Sequence, residues 1–382
     1  MNTAVVVGAG LAGAALVRSL CRAGASVTWL DAAPSLAAGA SALPVGMLSP
    51  HVTAQPTPLS RLTTLGVDHT RAELERLLPP GHGWQATEVD NHGHDAGRHP
   101  ACLVRPAALV QAWHNEALAT GRLRVQWQAR ATGLQRAGTR WRVLGQHGNV
   151  VAEANLVFIA AAYGSLPLLG GSLGMTETDL PLRPVKGQLS HGPLTGAPDA
   201  ERPQRQDGVY VPCFEENDTT RLWAMGSTYE RGVDNSAVSD AAHERNLASL
   251  QALHPAAAQR MREQAAHGQL RGWAGVRCAS LDRLPLAGSL PDITALSALL
   301  GQPPFHRRKP RLDELPRLPG LFTLSALGSR GLTLASLCAE RLVQQALDHP
   351  EATGPDAELW ATLDPARFVW RRLKRQQAST AK

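Results

Sequence analysis

The sequence predicts an α/β fold: a parallel sheet built from discontinuous stretches of chain, with a mainly antiparallel α+β domain inserted into it. Two observations predict this. A glycine-rich turn joins a strand to a helix at the start of the chain, and short apolar runs of buried-strand type recur at residues 3–7, 155–161 and 321–327. Between these runs lie strand-rich and helical stretches of a different pattern, as expected when one domain interrupts another.

The elements follow in order. Thr3–Val7 is β-rich and too short for a helix. Residues 11–23 carry helical spacing, with Leu16 and Leu20 on one face, and Ser26–Leu30 is a second strand ending at Asp31. Residues 32–58 are rich in alanine and proline and read as loop. A helix is expected over 61–78, stopped by Pro79-Pro80, and another from Pro106 to Thr120 with proline in its first turn. Between them, 81–100 holds His82, His92, His94 and His99 among glycines and fits neither a helix nor a strand. Short strands are expected at 124–127, 132–135 and 140–144, a strand-rich region over 185–228, one helix over 243–264 and a helix over 332–347. The resulting division gives 1–60, 101–180 and 274–350 to the nucleotide-binding domain, 61–100 and 181–273 to the substrate domain, and 351–382 to a basic C-terminal tail.

Composition sets outer limits. The chain has 382 residues, 43% hydrophobic and 18% charged, enough for two cores and unlike a disordered chain. No apolar run reaches the roughly 18 residues of a spanning helix, and the N-terminus lacks the pattern of a signal peptide. The five cysteines, Cys21, Cys102, Cys213, Cys278 and Cys338, are scattered with no C-x-x-C pair. That argues against a zinc module and for a reducing compartment. The histidines of 82–99 lack Cys, Asp or Glu at ligand spacing, so no metal is expected. The expectation is a cytoplasmic enzyme with no membrane segment. Its net charge of +6 favours a polyanionic partner weakly.

Gly8-Ala9-Gly10-Leu11-Ala12-Gly13 is G-x-G-x-x-G set between strand and helix. Gly8 permits the tight turn, Gly10 lets the backbone approach a pyrophosphate, and Gly13 lets helix and strand pack closely. The helix N-terminus then offers free N–H groups and the positive end of its dipole. Asp31 follows at the end of the second strand, where a carboxylate accepts from ribose hydroxyls and repels a 2′-phosphate. Together these are a Rossmann-like dinucleotide site. The motif alone does not separate FAD from NAD.

Beyond this motif the chain resembles the glycine/D-amino-acid oxidase superfamily of flavoproteins. In that superfamily a Gly-Ala-Ser element after the first acid touches the flavin; here Gly39-Ala40-Ser41 stands there, with Gly46 shortly after. Leu43-Pro44 replaces the family's asparagine. Arg130-Ala131-Thr132 resembles the segment beside the adenine, and 155–164, with Ala161, the second nucleotide-proximal strand. The resemblance implies FAD as cofactor and an FAD-binding domain of the glycine/D-amino-acid oxidase type.

Four later segments resemble one branch more closely. They are Leu182 to His191 (L-R-P-V-K-G-Q-L-S-H), Gly226 to Gly232 (G-S-T-Y-E-R-G), Gly275 to Pro285 (G-V-R-C-A-S-L-D-R-L-P) and Ala326 to Leu332 (A-L-G-S-R-G-L). The tail carries L-D-P-A-R from Leu363 to Arg367. Together they resemble the FAD-dependent oxidase half of the bacterial bifunctional enzyme that modifies the wobble uridine of tRNA. That resemblance implies removal of the carboxymethyl group from 5-carboxymethylaminomethyl-(2-thio)uridine. The acetate methylene is oxidised and the imine hydrolyses to the aminomethyl nucleoside and glyoxylate. With the glycine motif at residue 8, the methyl transfer that the bifunctional family adds is expected from a separate methyltransferase.

The resemblance also implies site residues. Arg277 matches the superfamily's carboxylate-binding arginine, which would set the substrate α-carbon over the flavin. An ion pair with Asp282 is the structural alternative for Arg277. Gly328-Ser329-Arg330-Gly331-Leu332 joins a buried strand to a long helix, whose N-terminus would stabilise negative charge on the reduced flavin. Arg330 and Lys186 are further substrate-binding candidates. His51 follows the flavin-side loop and is expected to make a local hydrogen bond. No general base is required for a neutral amine. For tRNA phosphates the candidates are Arg307-Arg308-Lys309 with Arg311, and Arg367, Arg371, Arg372, Lys374 and Arg375 beside Trp370. A small-molecule glycine, sarcosine or D-amino-acid oxidase, and a non-catalytic RNA-binding protein, remain the alternatives.

Overall fold

The computed structural model describes residues 2–93, 96–215, 219–300, 302, 308, 310–347 and 356–380. His94, Arg307 and Lys309, singled out above, lie outside the described residues.

The opening βαβ unit folds as its pattern dictates. Thr3–Val7 lies between Ser26–Leu30 and Leu156–Ile159, parallel to both. The helix Leu11–Arg22 covers one face and buries Ala14, Leu16, Val17 and Leu20. Leu123–Gln126 extends the sheet on one side. On the other, Arg317–Ser325 pairs parallel with Leu156–Ile159, and Leu286–Pro291 closes the sheet antiparallel. Strands from the start, middle and end of the chain thus share one sheet, six-stranded among the described residues. Phe158 and Phe322 stack across it, ring centroids 5.1 Å apart.

The second sheet is mixed and mostly antiparallel. Its spine is Leu182–Pro193 paired with Arg271–Ser280 over ten positions. Arg221–Gly226 pairs with the other edge of Leu182–Pro193, and Gly208–Glu215 follows it. Gln204–Gln206 then pairs parallel with Trp84–Asn91, which forms a hairpin with Gly97–Val104. This hairpin corrects the expectation of irregular chain over 81–100. Gly46–Leu48, inside the expected loop, caps the sheet's far edge. A third, small antiparallel sheet joins Gly133–Ala137, Arg140–Leu144 and Val150–Ala154.

Three other expectations change. The helix expected over 243–264 is two, Asp240–Leu253 and Pro255–Ala266; proline opens the second, and the His254 ring accepts from Ala257 N–H as its cap. The helix Pro58–Leu77, placed with the substrate domain, packs instead on the helix Gly331–Ala346: a Cβ at Gly66 would strike the Thr333 carbonyl, and Thr70 Oγ1 donates to the Leu332 carbonyl at 3.0 Å. Thirdly, the basic tail is docked to the body. Arg367, 2% exposed, donates to both carboxylate oxygens of Asp282 at 3.0 and 2.8 Å and to the Leu284 carbonyl at 3.0 Å. Arg371 pairs with Asp282 at 2.6 Å, and Arg372 with Asp179 at 2.7 Å. Those three arginines staple the helix Arg367–Thr380 to the body, so each of these phosphate-contact candidates already carries a carboxylate partner. Likewise Arg308 pairs with Glu314 at 2.9 Å and Arg311 with Asp313 at 3.2 Å. Lys374 sits over the Trp370 ring, 3.5 Å from its centroid.

No helix among the described residues is long and apolar enough to cross a membrane. No group of three or more His, Cys, Asp or Glu side chains among them is placed to hold a metal ion.

Candidate active site

A cavity of about 1050 Å³ opens where the two large sheets meet, lined by residues of both. One end is the glycine turn. Gly8 leaves its strand at φ +112°, donates to the Leu30 carbonyl at 2.8 Å and accepts from Trp29 Nε1 at 2.8 Å. A Cβ at Gly13 would coincide with the Gly8 carbonyl, so Gly13 is a packing residue and does not line the cavity. Asp31 Oδ2 accepts from Ala9 N–H at 2.5 Å and Oδ1 from Ala33 N–H at 2.7 Å. A carboxylate has lone pairs beyond those two bonds, so acceptor capacity is left for a ribose. Ser41 Oγ accepts from Leu11 N–H at 3.1 Å, which ties the Gly39-Ala40-Ser41 loop to the first turn of the helix.

The structure brings most of the expected residues to this cavity. Gly8, Ala9, Gly10, Leu11, Ala12, Asp31, Ala40, Ser41, Gly46, Ala131, Ala161, Arg277, Gly328, Ser329, Arg330, Gly331 and Leu332 all line it. Lys186 does not. Side chains alternate along Leu182–Pro193, and Leu189 is a cavity-lining position. Lys186, 5% exposed, therefore shares the opposite face with Gln188, which bonds the Ser239 main chain. That alternation is the reason the Lys186 expectation is corrected.

Toward Arg277 and Arg330 the cavity is cationic. Arg277 stands on Arg271–Ser280, register-paired with Val185. Its guanidinium donates to Ser227 Oγ and, at 3.3 Å, to the Thr228 carbonyl. No carboxylate among the described residues pairs with it, because Asp282, the alternative partner, is taken by Arg367 and Arg371. Burial lowers the Arg277 pKa from its ordinary value, with Tyr229 opposing the shift. Arg330 caps the helix Gly331–Ala346 and is lowered by burial and then by the charge of Arg283. His51, whose N–H donates to Thr63 Oγ1 at 3.0 Å, is lowered by burial and then by Arg330 and Arg205, which keeps it neutral. Asp31 and Asp234 also line the cavity, but neither is ion-paired with Arg277 or Arg330 among the described residues, and guanidinium groups left without such a partner suit an anion.

Sequence reasoning missed Gly187 and Gly275. A Cβ at Gly187 would coincide with the Arg277 guanidinium, and one at Gly275 would strike the Trp273 ring. The signal was the L-R-P-V-K-G-Q segment, whose lysine drew attention from its glycine. The wall between the two ends is apolar: Leu43, Val45, Met47, Leu189, Val211 and Trp273 belong to one cluster on the second sheet.

These residues fit FAD. The helix Leu11–Arg22 aims its N-terminus at the cavity for a pyrophosphate, and Asp31 stands beside it for a ribose. At Gly39 and Gly328 a Cβ would meet nothing within 4 Å, so these lining residues border open space. The N-terminus of Gly331–Ala346 supplies a second positive dipole end at the cationic side.

Comparison with known proteins agrees. Residues 3–100 and 89–345 match the FAD dependent oxidoreductase family, DAO. The chain is 35% identical over 390 residues to the tRNA 5-methylaminomethyl-2-thiouridine biosynthesis bifunctional protein MnmC of Polaromonas sp., covering 89% of this chain and 56% of that protein. It is 36% identical over 429 residues to the protein of the same name from Delftia acidovorans, covering 96% and 61%. The chain thus spans less than two thirds of the length of these curated relatives. Among solved structures, glycine oxidase from Geobacillus kaustophilus superposes with a TM-score of 0.66 at 17% identity, covering 94% of this chain and 98% of that one. Iminodiacetate oxidase from Chelativorans sp. superposes with a TM-score of 0.67 at 17% identity, covering 93% and 98%. At such identities the likeness is one of fold. Fold, cavity and family match converge: the chain belongs to the FAD dependent oxidoreductase family, an enzyme with FAD as its cofactor.

Proposed function

We propose that this enzyme removes the carboxymethyl group from 5-carboxymethylaminomethyl-(2-thio)uridine at the tRNA wobble position, giving the 5-aminomethyl nucleoside and glyoxylate. The observation that carries the reading is Arg277: a desolvated guanidinium with no carboxylate partner among the described residues, in the same cavity as the dinucleotide turn. The relatives named for 5-methylaminomethyl-2-thiouridine biosynthesis supply the substrate class.

The substrate is a secondary amine between a uracil methylene and an acetate. Bound FAD supplies a two-electron oxidant. The residues of this chain supply position. Arg277 holds the acetate by two charge-assisted hydrogen bonds and orients its CH₂. The Ser227 hydroxyl and the Thr228 carbonyl hold the guanidinium in place meanwhile. Loss of hydride from the CH₂ and of the proton from nitrogen leaves a C=N bond. Water adds there and releases glyoxylate and the primary amine. Arg330 and the N-terminus of Gly331–Ala346 stabilise negative charge at that end of the cavity. His51, held neutral, adds no charge of its own. The oxidative step is assigned to this chain, with methylation of its product left to a methyltransferase activity, and the site of both to the cytoplasm.

The test is anaerobic mixing of the holoenzyme with tRNA bearing the carboxymethylaminomethyl group. Bleaching of the yellow chromophore with stoichiometric glyoxylate is the expected result. Efficient oxidation of free glycine or sarcosine, indifferent to tRNA, would overturn the reading in favour of a small-molecule amine oxidase.

A further inference from the structure

Resting on the tRNA reading, we infer that Tyr229 is the platform on which the wobble base stacks once it leaves the anticodon loop. Tyr229 lines the cavity, yet 52% of it is exposed, so it spans interior and solvent at the mouth. A large aromatic left half in water at the entrance of a site is otherwise unaccounted for, because it joins none of the apolar clusters of the core.

Its setting fits an unpaired pyrimidine of RNA. The guanidinium carbons of Arg277 and Arg231 lie 5.6 and 5.7 Å from the ring centroid. Arg277 also bonds the two residues before Tyr229, Ser227 and Thr228, so the carboxylate anchor and the ring are held by the same segment. Arg231, exposed and two residues on, has no carboxylate partner among the described residues, the neighbouring Glu230 being paired with Arg245, and so is open to a sugar–phosphate chain. A base attached through a methylene and an amine to the acetate held by Arg277 must lie within a few ångströms of that anchor, which is where the Tyr229 ring stands. Single-stranded bases are recognised by such stacking on aromatic faces, and an extruded base needs a replacement for its lost neighbours.

The test uses the FAD-loaded enzyme and two anticodon stem–loop RNAs, one with uridine at the wobble position and one abasic there, with binding followed by fluorescence anisotropy. Stacking of one base is worth a preference of roughly tenfold for the uridine RNA. Tyr229→Phe is expected to keep that preference and Tyr229→Ala to abolish it, with FAD absorbance unchanged in both as the check on folding. A wild-type enzyme that discriminates while Tyr229→Ala discriminates equally would overturn this inference and leave the tRNA reading standing. A wild-type enzyme that binds neither RNA would overturn both.

Discussion

Two pairs of arginines are treated in opposite ways: Arg18 and Arg367 are buried, whereas Arg277 and Arg330 are half-buried beside the cavity. Arg18, 1% exposed, pairs with Glu73 at 2.7 Å and with Glu116 at 2.9 Å. Arg367 is held by both oxygens of Asp282 and by the main-chain carbonyls of Leu363, Asp364 and Leu284. Arg277 and Arg330 have no carboxylate partner among the described residues, and burial bears on both. The contrast separates structural from functional charge. A buried cation that only holds the fold together must be neutralised where it sits. A half-buried cation that lines a cavity without a counter-ion is complementary to something that arrives later.

Three substitutions sharpen or break that comparison. The largest effect is expected from Arg277→Ala. Loss of the anchor costs about 4 kcal/mol in transition-state binding, or roughly a thousandfold in kcat/KM for the tRNA substrate. FAD content and thermal stability are expected to stay close to wild type, read by absorbance and melting. A variant with normal turnover would place Arg277 with the structural class. Next is Glu73→Ala, which leaves Arg18 with one carboxylate partner, Glu116, and strips an acceptor from Trp113 Nε1. A loss of about 3 kcal/mol in denaturant unfolding is expected, with KM unchanged. No loss of stability would break the comparison from its structural side.

The smallest effect is a pH dependence. Burial works against ionisation of Asp282, but hydrogen bonds from Arg367 and Arg371 and from Leu284 N–H outweigh it and hold its pKa at about 2. A carboxyl lowered in the folded state stabilises the protein above its unfolded pKa, near 4, and that stability is lost as pH falls through about 2. The contribution is about 2 kcal/mol. Wild type is therefore expected to lose more stability than Asp282→Asn between pH 4 and pH 2, where an equal slope for both proteins would show that the pair carries no linkage.

The sequence made parts of this legible for physical reasons that differ by region. The opening βαβ unit is dictated by local pattern, and Thr3–Val7 and Ser26–Leu30 fall where the alternation and the glycines put them. The dinucleotide loop is legible because three glycines and an acid have no other economical use at that spacing. Arg271–Ser280 was not read as a strand, since its glycines and small residues have no period of their own; pairing with Leu182–Pro193 makes it one. The direction of Lys186 was not legible because a motif does not say which way a strand faces, and a structural lysine, the other reading of that residue, is what the strand's alternation supports. The ion pairs of the tail arginines were not legible because their carboxylates, Asp179 and Asp282, lie far upstream in the chain. Tyr229 sat in plain view within G-S-T-Y-E-R-G, but only its half-exposed position at the cavity gives it a task.

The pairing of Val185 with Arg277 joins positions separated by 92 residues. Closing a loop of that length costs on the order of 4 kcal/mol of chain entropy before any contact repays it. The βαβ unit at the N-terminus needs no such closure. During synthesis the opening βαβ unit can therefore form while the carboxylate anchor is still inside the ribosome, whereas the full cofactor cradle waits for Arg317–Ser325 and Gly328–Leu332, which follow Arg277 in the chain. Cofactor cradle and substrate anchor therefore reach completion together, once the segment beyond Arg277 has been made.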